Sequence, residues 1–368
     1  MSNFKTKIES DRIKNYFVHS SILIDVDGAS LNNWGSDATN TQGMENTTAV
    51  KKVFKNGKMY AVVAGQAWRY WWRETLGLNG WSLSPITRDK KVAFTEANPL
   101  KYADDDIFGY MRASKDELRD EDGNIVKDKK GNPKKVDVTV TRVSPLKNSI
   151  LTSVTPIDKK TLNEFSTMAR QDGDAVPYEK QSYSAVLKGM FSLDLDQVGT
   201  FTKINRSGFK NVTDFTYKEI LNEGGEEVDD LINPNIKRAR LPKEKRVQRV
   251  KDTILALKTI AGGAKRTTNY ASVKPDFIVL AVLKGGNNIF DNIAVEEDGR
   301  ATLSLRALEE AILDNREYLR SDIYIGKATG FMDDVIIKEK EIEGINIRVG
   351  SVNAMIDEFS KVLDMVIL

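Results

Sequence analysis

The sequence predicts an α+β fold, because segments with the alternation of strands are interleaved with segments that have the spacing of helices. Residues 16–26 alternate between apolar side chains on one face and polar or aromatic ones on the other, as in a strand with one buried face. Residues 276–286 are apolar on both faces, which is typical of a central, covered strand. With the segments between them, the order strand, helix, strand, strand, helix, strand predicts a ferredoxin-like βαββαβ core.

The first predicted helix lies within residues 64–76 and combines a heavily apolar face with cationic groups. Three of its side chains have i, i+3 and i+4 spacing and therefore share one face, which favours a core stripe over a base-stacking surface: Trp68, Trp71 and Trp72. Arg69 and Arg73 form an i, i+4 pair on another face. Since free N–H groups and the dipole at a helix start attract anions, this helix indicates a phosphate-bearing ligand.

The other core elements follow from the same patterns. Residues 136–156 are β-branched and alternating, which indicates a strand or a bent pair of strands, and residues 183–201 alternate over a long span. A helix is predicted from Pro242 to about Ala261. The pattern near the C-terminus predicts a helix near 303–320, short strands near Ile323, Val335 and Ile345, and a closing helix around Met355, Phe359 and Leu363.

Several connections are long or polar. Residues 28–47 form a Gly-, Asn-, Ser- and Thr-rich loop, and loops of this length are usually functional or disordered. Asn56-Gly57 between two strand-type runs predicts a tight hairpin. Residues 78–135 form a charged insertion, and residues 157–182 predict a protruding connection between the second and third core strands.

The composition excludes several kinds of chemistry. The chain has no cysteine and a single histidine, His19, so disulfides, thiolate metal sites and cysteine nucleophiles are excluded, and two-histidine zinc sites lack their residues. The composition therefore counts against a metabolic enzyme, and we expect no metal and no cofactor. The longest apolar run, 277–283, is too short to span a bilayer, and the polar start of the chain has no signal-peptide pattern. We expect a cytoplasmic protein with no membrane partner.

Charge is separated locally on a nearly neutral chain of net charge +2. Residues 237–251 contain eight Lys or Arg and one acid, and residues 223–230 contain five acids. This pattern fits a basic groove with acidic surfaces that meet other subunits, but a solvated helix beside a solvated loop fits it equally well.

Six segments, taken in order, resemble one family over most of the chain. They are SLNNWGSDATNTQG after the first strand, AVVAGQAWRYWWRETLG, DDDIFGYMRA, VTRVSPLKNSILTSV, KQSYSAVLKGMFSLDLDQVG and AGGAKRTTNYASVKPDFIVLAVLKGG. Together they resemble the backbone subunit of the CRISPR-associated Cascade surveillance complex, in its DevR-like type I-B form within the RAMP superfamily.

This resemblance implies a right-hand architecture built on an RRM-like palm. The implied parts are the first half of the palm (1–77), a fingers insertion (78–135), a palm strand (136–156), a thumb (157–182), the second half of the palm (183–290) and a C-terminal extension packed on the palm (291–368). One face of such a sheet is a known RNA platform.

The resemblance also implies a function without catalysis. Many copies would bind one CRISPR RNA side by side, and the guide bases would stay available for pairing with target DNA, in antiviral defence or in transposon targeting. The implied partners are the CRISPR RNA, target DNA through guide pairing, further copies of the chain, and other Cascade subunits such as the 5′-handle cap subunit and the large subunit. A subunit that accepts many guides must contact phosphates and sugars rather than base edges.

Candidate residues follow from the matched segments. The expected RNA-binding residues are Asn32, Asn33, Lys51, Lys52, Gln66, Arg69, Arg73, Gly263, Ala264, Lys265 and Arg266. Trp34 is a candidate for stacking or for packing its loop, and His19 for RNA contact or for a satisfied core histidine. Met168 is a candidate thumb wedge. The basic run 237–251 could face the guide, the target or solvent.

Two alternative functions are also compatible with RNA binding by this chain. Related type III backbone subunits cut target RNA with an aspartate in the loop after the first strand, and Asp37 lies in such a loop, flanked by Asp25 and Asp27. The segment DDDIFGYMRA and the third-strand motif favour the DNA-targeting branch instead. The other rival is an RNA-binding module unrelated to CRISPR, which would bind with fixed stoichiometry.

Overall fold

The computed structural model describes residues 2–32, 47–89, 92–113, 115–117, 125–128, 130–137, 139–158, 161–168, 172–205 and 210–367. Its helices are α1 (Ser2–Ser10), α2 (Gly65–Leu78), α3 (Ala103–Phe108), α4 (Asp214–Asn222), α5 (Lys243–Leu255), α6 (Leu305–Asp314), α7 (Val352–Ser360) and α8 (Leu363–Val366), with short 3-10 turns at Ala256–Lys258 and Asp291–Ile293.

The strands divide between one large sheet and several small ones. They are β1 (Tyr16–Ala29), β2 (Thr47–Thr48), β3 (Lys52–Lys55), β4 (Lys58–Val63), β5 (Thr87–Asp89), β6 (Val92–Phe94), β7 (Tyr110–Arg112), β8 (Lys115–Glu117), β9 (Lys135–Asp137), β10 (Val140–Arg142), β11 (Leu146–Asn148), β12 (Leu151–Ser153), β13 (Thr161–Met168), β14 (Val176–Asp194), β15 (Thr200–Phe201), β16 (Glu226–Asp229), β17 (Lys237–Arg240), β18 (Phe277–Lys284), β19 (Ala294–Glu297), β20 (Arg300–Leu303), β21 (Ile323–Lys327), β22 (Lys340–Ile342) and β23 (Ile345–Gly350).

The large sheet is mixed and runs in the order β22-β23-β21-β18-β1-β14-β12-β4-β3. Its centre, β18-β1-β14-β12, is antiparallel throughout. The pair β21–β23 is parallel, as is the short contact between β2 and β14. The predicted α+β class is therefore confirmed at the level of a large mixed sheet packed with helices.

Each face of the central sheet has its own core. One face, which includes Val18 and Ile22, packs against the helices α2, α5 and α7 through Trp72, Val250 and Phe359. The opposite face carries another set of apolar side chains that pack with residues following β18: Leu23, Val279, Ala281, Phe290, Ile293, Leu308 and Ile312. Both faces of the sheet centre are thus covered, in agreement with the apolar pattern of β18, whose residues Phe277 to Leu283 are all buried.

Local sequence explains several elements. The hairpin β3–β4 turns at Asn56 and Gly57, which both have positive φ, 51° and 73°, as the Asn-Gly signal predicts. The predicted protruding connection contains β13, which pairs with the first half of β14 from Thr161 opposite Tyr183 to Met168 opposite Val176. Most of β13 is exposed.

Some boundaries differ from the sequence prediction. The segment 136–156 does not form one strand: β10 pairs with β7 of the insertion, whereas β11 and β12 pair with β14. Val335 lies in a turn rather than a strand, and the short edge strand is β22. The helices α1 and α4 were not predicted, because both are short and rich in polar residues.

Candidate nucleic-acid interface

Three distant segments meet where β1 ends. The side-chain Oδ1 of Asn32 accepts a hydrogen bond from the main-chain N–H of Ala64 at 3.0 Å, and its carbonyl accepts from the N–H of Lys51 at 3.3 Å. The carbonyl of Leu31 accepts from the N–H of Ala264 at 3.1 Å. The structure therefore brings together the end of β1, the segment before β3, the start of α2 and the turn that follows α5. We call this meeting point the β1 junction.

The start of α2 has no side-chain cap. Its N-cap residue Ala64 makes no side-chain capping hydrogen bond, and Gln66 is exposed in the first turn. Gly65 lies tight against the strand that follows the insertion, since an added Cβ would approach the carbonyl oxygen of Ser149 to 3.3 Å. A helix end of this kind presents N–H groups and a partial positive charge to an anion.

The tryptophans anchor this helix, as predicted. Trp68, Trp71 and Trp72 are all buried. The indole N–H of Trp68 donates to the carbonyl of Ser149 at 2.8 Å, and that of Trp72 donates to the carbonyl of Thr253 at 2.7 Å. All three rings are buried, and the polar ends of Trp68 and Trp72 are satisfied inside the protein. The three rings therefore fix α2 and are not available as stacking surfaces.

Arg69 holds α2 to β11 and to the end of α3. Its guanidinium donates to four acceptors of this chain: the carbonyls of Leu146 and Phe108, the side-chain oxygen of Asn148 and the hydroxyl of Ser144, at 2.7–3.0 Å. These contacts use four of the five N–H groups of an arginine. Burial lowers the pKa of Arg69 to about 10. The expected phosphate contact stays a prediction, but the geometry gives Arg69 a structural task.

Arg73 is also engaged within the protein. It pairs with the buried carboxylate of Asp104, with 2.6 Å between Nη2 and Oδ2, and it donates to the carbonyl of Ser84 at 3.1 Å. Asp104 belongs to the first turn of α3, within the DDDIF segment. The two arginines of α2 therefore bind the insertion and the sheet, and the exposed polar side chain at the helix start is that of Gln66.

The turn after α5 approaches the junction closely because of its glycines. A Cβ on Gly262 would lie 2.1 Å from Cγ of Trp71, and one on Gly263 would lie 2.6 Å from Cδ2 of Leu31. Gly263 also has φ of +95°. Lys265 and Arg266 follow with exposed side chains. The glycines thus permit the contact that brings two cations to the end of β1.

Asn269 fixes the same turn and was missed from the sequence. Its side-chain amide donates to the carbonyl of Gly28 in β1 at 2.6 Å, and its oxygen lies 3.4 Å from Nζ of Lys180 in β14. Lys180 also pairs with Glu164 of β13 at 2.6 Å. Only the position of Asn269 in the polar run KRTTNY could have suggested this role.

The other candidate residues lie in different settings. Lys51 and Lys52 are half-buried beside the junction, and Met168 is exposed at the end of β13. Three further candidates lie outside the described residues: Asn33, Trp34 and Asp37.

His19 is fully buried, with Nε2 2.8 Å from the carbonyl oxygen of Gly285. Burial, together with the nearby Lys147, lowers the pKa of His19. RNA has no access to this side chain in the structure, because the segment after β18 covers it.

The cations of the basic run 237–251 are largely paired within the chain, some of them buried and some at the surface. Seven of its eight cations contact acceptors of this chain: Lys237 with Asp229, Arg238 and Arg240 with Asp196, Lys245 with Glu223, Arg246 with main-chain carbonyls, Arg249 with Asp106, and Lys251 with Asp364. Two of these partners, Asp229 and Glu223, are acids of the neighbouring segment 223–230. Much of the positive charge of the run is therefore balanced by acids of the same chain.

Two further observations concern the described residues only. Within these ranges no group of three or more His, Asp or Glu side chains is placed to hold a metal ion. No helix among them is long and apolar enough to cross a membrane.

The fold and the junction together define a class: an α+β protein whose central strand ends beside two exposed cations, polar side chains and an uncapped helix start. The family model described as CRISPR-associated negative auto-regulator DevR/Csa2 matches residues 21–298. The chain therefore belongs to the DevR/Csa2 family, and the resemblance inferred from its motifs is confirmed.

Comparison with solved structures gives matches of low sequence identity. A chain of a structure titled "CRISPR RNA-guided surveillance complex" is 14% identical, with a TM-score of 0.47, over 94% of this chain and 98% of the other. A chain of "CRISPR RNA-guided surveillance complex, pre-nicking" is 12% identical, with a TM-score of 0.48, over 94% and 99%. No curated protein matches the sequence.

Proposed function

We propose that this chain binds CRISPR RNA as the backbone subunit of a type I-B Cascade complex, with several copies side by side along one guide. Membership of the DevR/Csa2 family supports a CRISPR role. The observation that carries the proposal is the β1 junction, where Gln66, Lys265 and Arg266 are exposed around the uncapped start of α2. Such a site suits a sugar–phosphate backbone and takes no account of base identity.

In this proposal the centre of the large sheet is a ferredoxin-like, RRM-like palm. The order β18-β1-β14-β12 supports it, because the fourth, first, third and second core strands are neighbours in that order and are antiparallel. The insertion 78–135 serves as fingers, the hairpin within 157–182 serves as the thumb with Met168 near its tip, and residues 291–368 pack on the palm.

The guide would lie at the end of β1 rather than across the sheet. In many RRM-like proteins the open sheet face stacks RNA bases. Here that face carries His19, Leu23 and Ala281, which are all fully buried under the segment that follows β18. Most guide bases would therefore stay free for pairing with target DNA, and the other Cascade subunits would complete the particle. We propose no catalytic step for this chain.

Assembly on guides of different length tests the proposal. The purified chain is mixed with CRISPR RNAs that share one repeat sequence and carry spacers of increasing length, and the mass of each complex is measured by native mass spectrometry. We expect the number of protein copies per RNA to rise with spacer length, and a constant single copy would refute the backbone role. In the same samples, complementary RNA with magnesium should remain intact, whereas regularly spaced cleavage would favour the ribonuclease alternative.

A further inference from the structure

The turn at the β1 junction ends at Tyr270, whose aromatic ring lies in solvent. Tyr270 is 82% exposed, the highest exposure of any aromatic side chain in the described part of the chain. Its main-chain N–H donates to the carbonyl of Arg266 at 3.1 Å, which places the ring directly after the two cations of the turn. A single exposed aromatic side chain is common on protein surfaces, so what points to a ligand here is its position directly after two exposed cations.

The backbone of Tyr270 is held in an unfavourable conformation. Its φ is +49°, in the left-handed region, where a bulky side chain is a clear outlier. Lys265, at the start of the same turn, also has a positive φ of 57°. Such strain persists only where the surroundings impose it, and it concentrates at functional sites.

The surroundings of Tyr270 do impose that conformation. Asn269, its immediate neighbour, is fixed to the carbonyl of Gly28 by a hydrogen bond of 2.6 Å. The N–H groups of Thr268 and Asn269 both donate to the carbonyl of Lys265, which closes the turn. The ring is therefore presented from a rigid support beside Lys265 and Arg266, and not from a loose loop.

We propose that the ring of Tyr270 stacks on a base of the bound RNA while Lys265 and Arg266 contact its phosphates. An aromatic ring beside cations is the combination with which proteins bind single-stranded nucleic acid without sequence preference, because every base offers a flat face. The inference rests on the proposed function, since it names a residue of the same guide-binding site. The alternative is that this ring contacts a second copy of the chain rather than RNA.

Four variants of the full-length chain test this role: Tyr270→Phe, Tyr270→Ala, Tyr270→Gly and, as control, Tyr318→Ala. Tyr318 is also an exposed tyrosine, 51% exposed, but it follows α6 and lies at the end of β18 away from the junction. RNA affinity is measured by fluorescence anisotropy on a short oligonucleotide that holds one copy, at several salt concentrations. The unfolding midpoint of each free protein is measured in parallel.

Loss of one stacked base corresponds to roughly 5- to 150-fold weaker binding. We expect Tyr270→Ala to lose affinity within this range with an unchanged salt dependence, whereas Tyr270→Phe and Tyr318→Ala should bind as the wild type does. Tyr270→Gly should bind as weakly as Tyr270→Ala but unfold at a higher temperature than Tyr270→Ala, because glycine adopts positive φ without strain. A residue with a purely structural role would not separate stability from affinity in this way.

The outcomes distinguish this inference from the function on which it rests. If the wild type binds no RNA, the proposed function fails and the stacking role falls with it. If the wild type binds RNA and Tyr270→Ala binds equally well, the stacking role alone is overturned. If Tyr270→Ala binds the short oligonucleotide normally but assembles fewer copies on long guides, the ring contacts another copy of the chain, and stacking on RNA is likewise overturned.

Discussion

Arg249 and Asp106 form an ion pair in the protein interior, with 2.6 Å between Nη1 and Oδ2, that joins α5 to α3 of the insertion. The same carboxylate accepts from Arg142 of β10 and from the main-chain N–H of Gly199 at 2.9 Å. The Asp106 side chain is completely buried. One carboxylate therefore connects the insertion, the second helix of the core and the segment that leads into β15.

Replacing Asp106 should destabilise the whole protein. Asp106→Ala would leave Arg142 and Arg249 buried beside each other without their shared counter-charge, and breaking a buried pair in this way costs about 3–5 kcal/mol. We expect a loss of that size in the free energy of unfolding, measured with urea. The matched control is Asp357→Ala, whose pair with Lys258 has a similar distance of 2.7 Å but a half-exposed carboxylate. It should cost about 1 kcal/mol or less, and equal losses in the two variants would contradict the argument.

The ion pair between Arg249 and Asp106 also illustrates which features could be predicted from the sequence and which could not. Helix α2 was predictable because its main determinant is local, namely the spacing that places three tryptophans on one face. The roles of Arg69 and of the 237–251 run were not, because their partners are distant in sequence. Arg249 is 143 residues from Asp106, and Arg69 is 77 residues from the carbonyl of Leu146. Nothing in a basic run alone distinguishes an RNA-facing cation from one that pairs with a distant acid.

Arg69 offers a test of the structural task assigned to it. Arg69→Lys keeps the charge but replaces a planar fork with three donors on a flexible stem, so it cannot reach all four acceptors. We expect the free energy of unfolding to fall by roughly 2–4 kcal/mol, given that a hydrogen bond from a charged group contributes about 1.5–3 kcal/mol. Gln66→Ala, in the exposed first turn of the same helix, should change stability by about 0.5 kcal/mol or less. A fully stable Arg69→Lys with reduced RNA affinity would instead identify Arg69 as a phosphate ligand.

Asp194 should make the protein less stable as the pH rises. Burial, opposed by the N–H of Gln197 and aided by the nearby Asp196, raises the pKa of Asp194 from 3.8 to about 6. A carboxyl group whose folded pKa is raised contributes stability that is complete below its unfolded pKa and is lost as pH rises through the folded value. Asp194→Asn cannot ionise, and its amide oxygen can still accept from the N–H groups that Asp194 binds.

The prediction for Asp194 is therefore a difference that grows with pH. Urea unfolding of the wild type and of Asp194→Asn should give similar stabilities near pH 4 and an advantage for the variant, on the order of 3 kcal/mol, near pH 7.5. Asp357→Asn, the same change at a half-exposed carboxylate, serves as the control. A constant difference across this range would mean that Asp194 does not titrate in it.

Lys265 should contribute to RNA binding through charge alone. It is exposed at the β1 junction, so Lys265→Ala removes one cation from the proposed phosphate site without disturbing the core. Each phosphate contact releases counterions, and we expect the slope of log affinity against log salt to fall by about one while every guide sequence loses affinity equally. The control is Lys243→Ala, an exposed lysine of the basic run at the opposite end of α5 from this turn, which should leave the slope unchanged. Loss confined to particular guide sequences would show that this site reads bases, whereas an unchanged slope in Lys265→Ala would place the RNA elsewhere on the protein.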